Sequence, residues 1–236
     1  MIKIDWFLKF LIYYKIKTMK IIQEIGKTNP LISHYLSVIR NKDTDNISFR
    51  RAIKIISDAL SVEAVKNLPL KEITVETPVS QTKSEIIRDD IDIFVVPILR
   101  AGLGISNSLF DILPFAKMQH LGMCRNEKTL KPNWYYNKLP VKFRDPKNTF
   151  VYICDPMLAT GGSIIEAIKL YVNADVPQEN ITTLNIICAP EGLKKLNEEF
   201  PKVKTITASV DERLNEKGYI IPGLGDAGDR IFNTLY

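Results

Sequence analysis

VYICDPMLATGGS, residues 151–163, is the stretch of this sequence that says most about its fold. Its opening residues are apolar and predict a buried strand ending at Cys154, and its glycines predict a turn into a helix that begins at Gly162. Glycines let backbone amides converge on an anion, and a helix N-terminus adds its positive end. Asp155, the first residue after the strand, can accept hydrogen bonds from sugar hydroxyls. The stretch therefore predicts a binding site for a phosphorylated sugar.

Two other interpretations of this loop are a helix cap and a triphosphate-binding loop. The four residues TGGS by themselves suit a helix cap with permissive glycines as well as they suit a phosphate site. A triphosphate-binding P-loop is excluded, because G-x-x-x-x-G-K-[ST] requires a lysine that is absent here. The prediction therefore depends on the whole stretch and not on its glycines alone.

The residues on both sides of this loop predict alternating strands and helices. Apolar strands are predicted at residues 91–99, 150–154, 181–188 and 203–209, and helices at 31–40, 49–64, 106–113, 162–172 and 191–200. Residues 68–90 are polar with alternating Thr and Val, which predicts an edge hairpin or arm. Alternating strands and helices imply a parallel sheet, whose ligands bind beyond the carboxyl ends of its strands. The loops after Leu99, Cys154 and Ser209 are the predicted sites.

VPILRAGLG, residues 96–104, places one arginine, Arg100, directly after a predicted strand. An arginine at the end of a buried strand needs an anion or a carboxylate, because burying it unpaired would be costly. Gly102 and Gly104 would allow the backbone to approach a ligand closely. From the residues alone, a structural ion pair and an anion site both remain open.

GYIIPGLGDAGDR, residues 218–230, contains a formal match to the dinucleotide fingerprint G-x-G-x-x-G. That fingerprint needs an acidic residue about 20 positions later. Only eight residues follow Gly228, so the match is rejected. The prediction is instead a rigid loop that closes over a ligand, stiffened by Pro222 and offering exposed backbone groups together with the Asp226 carboxylate.

Composition excludes several classes of protein. A length of 236 residues suits one large α/β domain or two small ones, and 45% hydrophobic with 25% charged residues excludes a disordered or fibrous chain. Three scattered cysteines without a Cys-x-x-Cys pair support neither disulfides nor zinc, and suit the reduced thiols of the cytoplasm. The net charge of +5 is concentrated in residues 1–20 and 122–148, so a general nucleic-acid-binding surface is not indicated.

Residues 1–20 are apolar and basic. Their longest uncharged apolar stretch, residues 10–14, is far shorter than the ~20 residues of a membrane span, and no signal-peptide cleavage site follows it. We expect an extension ahead of a single domain at residues 21–236, with Met19 as the start. A surface helix that packs on a partner and a weak membrane-surface anchor are the alternatives.

Together these motifs resemble the type I phosphoribosyltransferases, and in particular the uracil phosphoribosyltransferase family. Residues 155–163 are similar to that family's loop for 5-phospho-α-D-ribose 1-diphosphate (PRPP), although Asp155-Pro156 stands where most of the superfamily has two acidic residues. The resemblance covers residues 21–236. It implies an α/β type I phosphoribosyltransferase fold: a parallel twisted sheet flanked by helices, with an N-terminal helical segment, a β-arm and a small C-terminal hood.

The resemblance also implies roles for single residues. Arg100 and Arg125 would hold the diphosphate of PRPP, and the family often has a non-proline cis peptide bond in the Arg100 loop. Asp155 would bind the ribose, and Asp226 would touch PRPP or magnesium-bound water. The other expected PRPP contacts are Pro156, Met157, Leu158, Ala159, Thr160, Gly161, Gly162 and Ser163. The expected uracil contacts are Ile220, Gly225, Asp226 and Ala227, largely through their backbone groups.

The segment around Arg125 has two interpretations. Seven basic residues against two acidic ones at 122–148, with Trp134, Tyr135 and Tyr136, suit a solvated arm whose aromatic side chains pack on a second subunit. They also suit a cationic flap that attracts an anionic substrate. We expect a mixture, in which Arg125 contacts the ligand while Lys128 and Lys131 mostly steer it.

The implied reaction is transfer of the phosphoribosyl group of PRPP to N1 of uracil, giving UMP and diphosphate. The implied cofactor is Mg²⁺, held through PRPP and water with no direct protein ligand. The resemblance further suggests a cytoplasmic homodimer or homotetramer with GTP as a candidate effector, and no nucleic-acid or membrane partner. Two alternatives remain: transfer to another base, and an RNA-binding regulator of pyrimidine genes on the same fold.

Overall fold

The computed structural model describes residues 21–125, 132–138 and 142–234, and the backbone alone at Arg125 and Pro132. The predictions for residues 1–20, for Lys128 and Lys131, and for the side chain of Arg125 lie outside the described residues.

The first two helices begin where the sequence supplies capping groups. Oδ1 of Asn29 accepts a hydrogen bond from the Leu31 amide at 3.0 Å, and Pro30 occupies the first turn of the first helix. Asp45 caps the second helix by accepting from the Ser48 amide at 2.9 Å. The helices of the described residues are α1 (Pro30–Arg40), α2 (Asn46–Ala64), α3 (Leu103–Ile112), α4 (Gly162–Val172), α5 (Pro190–Glu199) and α6 (Ala227–Phe232).

The strands build a mostly parallel central sheet. In the described residues they are β1 (Ile22–Glu24), β2 (Leu70–Glu76), β3 (Gln81–Ile87), β4 (Asp92–Leu99), β5 (Lys117–Met118), β6 (Leu121–Arg125), β7 (Pro132–Asn137), β8 (Thr149–Cys154), β9 (Met157–Leu158), β10 (Ile181–Cys188), β11 (Lys204–Val210), β12 (Arg213–Leu214) and β13 (Ile220–Ile221). The sheet order is β1-β11-β10-β8-β4-β6-β7, with β5 beside β4 and β9 beside β10. Only the pair β6–β7 is antiparallel within that part of the sheet. The carboxyl ends of β4, β8, β10 and β11 therefore lie along one edge.

Both faces of the sheet are covered, which explains why its central strands β4 and β10 are buried along almost their whole length. Ile93 and Val95 of β4 belong to a core formed with α1, α2, α3 and α6. Their neighbours Phe94 and Val96 belong to the opposite core, formed with α4 and α5. Successive side chains of a strand point to opposite faces, so one apolar strand supplies both cores.

Most of the predicted elements are confirmed. The strand at 181–188 and the helix at 162–172 have the predicted bounds, and residues 68–90 contain the antiparallel hairpin β2–β3. The helix predicted at 106–113 begins earlier, at Leu103, because the amides of Gly104 and Ile105 already bond to carbonyls in the preceding turn. No helix among the described residues is long and apolar enough to cross a membrane.

Several elements among the described residues escaped prediction, including β5, β9, β12 and β13, and three further cases show why. Strand β1 has three residues, too few for a periodic pattern, and it forms by pairing with β11. The pair β6–β7 at the sheet edge joins segments that the sequence shows only as a basic region. The third is the short helix α6 at the C-terminus.

Candidate active site

A cavity of about 950 Å³ lies at the carboxyl edge of the sheet. One wall is the loop after β8, and the facing wall is the segment from the β12–β13 turn to the start of α6. The structure thus brings together two motifs that lie some sixty residues apart in the chain. The lining residues are Asp155, Met157, Leu158, Ala159, Thr160, Gly161, Gly162, Ser163, Ile164, Glu216, Lys217, Gly218, Tyr219, Ile220, Pro222, Gly223, Leu224, Gly225 and Asp226.

The loop after β8 presents a helix N-terminus to the cavity. Gly161 stands at the cap position of α4 with φ +76°, a backbone conformation that residues other than glycine rarely adopt. No side chain caps the helix there. The first amides of α4 consequently have no partner within the helix and remain available to an anion. Strand β9 holds the start of this loop against β10. These groups can bind a phosphate.

Asp155 lies half-buried at the base of the cavity. Burial raises the pKa of this carboxyl from 3.8 to about 7, against the opposing effect of a hydrogen bond from the Met157 amide at 3.3 Å. The Asp155 carbonyl accepts a hydrogen bond from Nδ2 of Asn185 at 2.6 Å. Hydroxyl donors from a bound sugar would favour the ionised carboxylate, so ligand binding and deprotonation are coupled here.

Arg100 lies at the end of β4, outside the cavity lining. The peptide bond between Leu99 and Arg100 is a cis bond that does not involve proline, as the family resemblance predicted. Nη2 of Arg100 lies 3.1 Å from Oδ1 of Asp229, and the guanidinium stands 5.8 Å from the centre of the Phe232 ring. The side chain is about half exposed. Arg100 therefore pairs with the C-terminal helix α6 in this structure.

Gly102 brings the Arg100 loop against the end of β8. A Cβ atom at this position would lie 2.3 Å from the Cys154 carbonyl oxygen and 2.6 Å from backbone atoms of Ile98. Only glycine permits that approach, because the neighbouring atoms belong to the backbone and cannot rotate away. The loops after β4 and β8 are consequently held side by side.

The C-terminal wall is shaped by the backbone. Strands β12 and β13 form a short antiparallel pair, the bond Ile221–Pro222 is cis, and Gly223 and Gly225 have positive φ. Gly225 makes no hydrogen bond to another described residue and lines the cavity. Its free N–H and carbonyl suit recognition of a flat polar edge, as the sequence predicted.

Asp226 has a second task that sequence reasoning missed. Its Oδ1 accepts a hydrogen bond from the Asp229 amide at 2.9 Å, so it caps α6. An acidic residue followed three positions later by another is a recognisable start signal for a helix. That signal could have revealed α6 in the sequence.

Arg125 ends β6, the strand beside β4, and is backbone-paired with Pro132 of β7. Pro156 and Ala227 were also predicted to contact ligands, and neither belongs to the cavity lining. Trp134, Tyr135 and Tyr136 lie on β7 with partly exposed side chains, 58% exposed at Tyr135. The described residues thus gather most of the predicted site into one cavity and place Arg100 beside it.

Comparison with known proteins decides the family. The family profile named uracil phosphoribosyltransferase matches residues 26–234. A uracil phosphoribosyltransferase of Campylobacter curvus is 47% identical over 208 residues, which cover 88% of this chain and 97% of the relative. This chain belongs to the uracil phosphoribosyltransferase family.

Other members and neighbours agree with this assignment. A uracil phosphoribosyltransferase of Dictyoglomus thermophilum is 47% identical, over 87% of this chain and 97% of the relative. A solved structure from Aquifex aeolicus has a TM-score of 0.80 at 39% identity, covering 89% of this chain and 97% of that one. An adenine phosphoribosyltransferase from Trypanosoma brucei, solved with AMP, pyrophosphate and ribose-5-phosphate, has a TM-score of 0.53 at 12% identity and shares the fold. None of these findings supports the RNA-binding alternative.

Several residues around the uracil phosphoribosyltransferase cavity were not singled out from the sequence. Glu216, Lys217 and Tyr219 line it from the β12–β13 turn. Asn185 donates a hydrogen bond to the Asp155 carbonyl from β10, a buried strand that also contains Thr182 and Thr183. An amide side chain in a buried strand next to a ligand loop is the signal that could have identified Asn185.

Proposed function

We propose that this enzyme transfers the 5-phosphoribosyl group of PRPP to N1 of uracil, with UMP and diphosphate as products. The observation that carries this proposal is the pairing of two walls in one cavity: a phosphate-binding loop with a carboxylate at its base, and a C-terminal loop with free backbone groups. One wall suits a sugar phosphate and the other suits a pyrimidine. Their separation across the cavity suits reaction between the two.

The loop after β8 binds PRPP in this proposal. The carboxylate of Asp155 accepts hydrogen bonds from the ribose hydroxyls, and the amides at the start of α4 hold the 5′-phosphate. Thr160 and Ser163 add hydroxyl donors. Pro156 to Ala159 shape the turn that carries these groups. The support for these roles is the uncapped helix N-terminus and the position of Asp155 beside it.

Arg100 and Arg125 stabilise the departing diphosphate. Positive charge grows on the sugar and negative charge on the leaving group in an oxocarbenium-like transition state, so fixed cations near the diphosphate lower the barrier. For Arg100 this requires exchange of the Asp229 carboxylate for the diphosphate. Its half-exposed side chain leaves it room to do so.

Magnesium is the proposed cofactor, and the residues present fit it. Asp155, Glu216 and Asp226 supply the carboxylates of the cavity wall, while the described residues contain no cluster of three or more metal-ligating side chains. Such a wall suits an ion that is held mainly by oxygens of PRPP and by water, with Asp226 reaching its water shell. When bound, the ion neutralises charge on the diphosphate.

The C-terminal loop recognises uracil. Ile220, Gly225, Asp226 and Ala227 offer backbone groups that can match the alternating acceptors and donor of its amide edge. Cytosine would leave some of these groups unpaired because its amino group reverses part of that pattern. No residue is an obvious general base: the N–H of uracil is already acidic, a backbone carbonyl can orient it, and its proton passes to water or to the departing diphosphate as the bond from N1 to C1′ forms.

Assembly, regulation and location complete the proposal. We expect a homodimer or homotetramer with GTP as the effector to test, and a cytoplasmic enzyme. Support for the location comes from Cys124, Cys154 and Cys188, which are free thiols in the structure. Sedimentation with and without GTP measures the number of subunits and whether GTP changes it.

The deciding experiment incubates the protein with PRPP, Mg²⁺ and labelled uracil, with and without GTP, and measures UMP. Labelled cytosine, adenine and orotate serve as competing bases. We expect UMP to form from uracil alone. Absence of UMP under every condition would contradict the proposal, and preference for another base would replace uracil by that base.

A further inference from the structure

We propose that Arg40 and Asp211 are positioning residues for base recognition, which fix the backbone of residues 222–226 in the orientation that contact with uracil requires. Neither residue lines the cavity. The inference rests on the proposed function of that loop and extends it to an ion pair on the far side of the loop.

Asp211 is a buried carboxylate directly after β11. Its side chain is only 1% exposed. Oδ2 accepts a hydrogen bond from the Gly223 amide at 2.9 Å, and Oδ1 accepts one from the Ser209 hydroxyl at 3.1 Å. The sheet thereby holds the amide of the loop through a charged acceptor, a stronger bond than one between neutral groups.

Arg40, the last residue of α1, engages the same peptide from the other side. Its Nη1 and Nη2 pair with the two oxygens of Asp211 at 2.8 and 2.5 Å. Nη1 also donates to the Gly223 carbonyl oxygen at 2.9 Å. The N–H and the carbonyl of Gly223 are therefore both bound by one ion pair, which fixes the plane of two successive peptide groups.

The next carbonyl is anchored to the same end of α1. Nη1 of Arg230 donates to the Leu224 carbonyl oxygen at 2.8 Å, and its guanidinium also bonds to the carbonyls of Ile39 and Asn41. The carbonyl groups of Gly223 and Leu224 are thus bound by two arginines that lie outside the cavity lining. Gly225, the following residue, makes no hydrogen bond to another described residue, and its polar groups stay available to the cavity.

The loop at residues 155–163, on the opposite side of the cavity, is held by different contacts. The PRPP loop is supported by β9, which pairs with β10, and by the bond from Asn185 to the Asp155 carbonyl. None of the hydrogen bonds of Arg40 or Asp211 reaches residues 155–163. Loss of the ion pair should therefore disturb uracil binding more than PRPP binding, whereas a general loss of stability would affect both substrates.

The test compares Arg40→Met, Arg40→Lys and Asp211→Asn with Arg51→Met, a control on the exposed face of α2. We expect Arg40→Met to raise KM for uracil about ten-fold while KM for PRPP and kcat change by less than about three-fold. Arg40→Lys keeps the charge but not the forked pairing with Asp211, so it should recover only part of the loss, and Arg51→Met should match wild type. Equal rises in KM for both substrates, or an unchanged KM for uracil, would overturn the proposal.

Amide hydrogen exchange provides a readout that does not depend on catalysis. In Arg40→Met, exchange should accelerate in residues 220–226 and stay unchanged in 157–163. If Arg40→Met fails to fold, the same two measurements on Asp211→Asn decide, since this variant keeps the shape of the side chain. Uniform acceleration in both loops would overturn the inference. Absence of UMP formation by wild type would instead contradict the proposed reaction. The exchange pattern would still test whether the ion pair of Arg40 and Asp211 holds the backbone of residues 222–226.

Discussion

At the scale of single residues, the candidate site depends on a carboxyl group and a guanidinium group that are held in different ways. Asp155 is half-buried and its pKa is raised, whereas Arg100 is half exposed and already paired with Asp229. In the proposed roles, Asp155 must be ionised and Arg100 must leave Asp229 for the diphosphate. Binding residues that cost stability are common at functional sites.

Replacing Asp155 with Asn tests the buried carboxyl. Because its folded pKa of about 7 exceeds the ordinary 3.8, the folded protein binds a proton that the unfolded chain releases, and this contribution to stability is lost as pH rises through about 7. Asp155→Asn cannot lose that proton. Its unfolding free energy should exceed that of wild type by about 2–4 kcal/mol at pH 8.

The difference should vanish near pH 4, as urea unfolding across the pH range would show. A constant difference at all pH values would contradict the assignment. Activity should fall in the same variant, because a neutral amide is a poorer acceptor for ribose hydroxyls than a carboxylate.

Replacing Arg100 with Ala tests the diphosphate site. We expect kcat to fall about 10²–10³-fold, the loss typical of one group that stabilises transition-state charge. Lys142→Ala is the comparison, since Lys142 is an exposed member of the basic segment 122–148. Steady-state kinetics that are equal for the two variants would contradict the role of Arg100.

At the scale of elements, the site depends on how closely two loops approach. The turn after β4 packs on the end of β8 through Gly102, and the turn leads into α3. Strand order alone makes these loops neighbours, because β4 and β8 are adjacent and parallel. The close contact between the two loops is possible because Gly102 has no side chain.

Gly102→Ala tests that approach. The added Cβ would lie 2.3 Å from a carbonyl oxygen, so backbone must shift, and we expect a loss of about 2–4 kcal/mol in stability and a large loss of activity. Gly228→Ala is the comparison, because its Cβ would lie 3.3 Å from Oδ1 of Asp226 and 3.7 Å from Cβ of Ala101, which are side-chain atoms that can shift by a few tenths of an ångström. Calorimetry should show a lower Tm for the first and an unchanged or higher Tm for the second. Equal Tm values would contradict the close approach.

At the scale of the whole molecule, the sheet separates two apolar cores and carries the cavity on one edge. The central strand β8 has no contact with solvent over most of its length. The loops can therefore be irregular and polar, because stability is supplied by packing elsewhere.

Ile153→Ala tests this division. Ile153 is fully buried in β8, and its truncation should cost about 2–5 kcal/mol by leaving a cavity in the core. Ile47→Ala, at a position 74% exposed, should change stability by less than about 0.5 kcal/mol. Chemical denaturation measures both. KM for PRPP of the folded Ile153→Ala enzyme should stay near that of wild type, and a large rise would contradict the separation of core and site.

Much of this architecture follows from local patterns. Apolar runs, the glycines before α4 and the N-cap residues Asn29 and Asp45 are local signals, so β10, α4, α1 and α2 are predictable within a few residues. Elements whose existence depends on a distant partner were not. β1 forms only against β11, and the β6–β7 pair has no apolar pattern of its own.

The sequence by itself determined the α/β class, the glycine-containing loop at 155–163 and the C-terminal loop, because each depends on neighbours within one short segment. Only the tertiary structure decided that these loops face each other across a cavity, that Arg100 rests on Asp229, and that Arg40 and Asp211 hold Gly223. The contacts of Arg100 with Asp229 and of Arg40 with Gly223 join residues more than a hundred positions apart. Their geometry comes from packing of the sheet and helices, which no local pattern records.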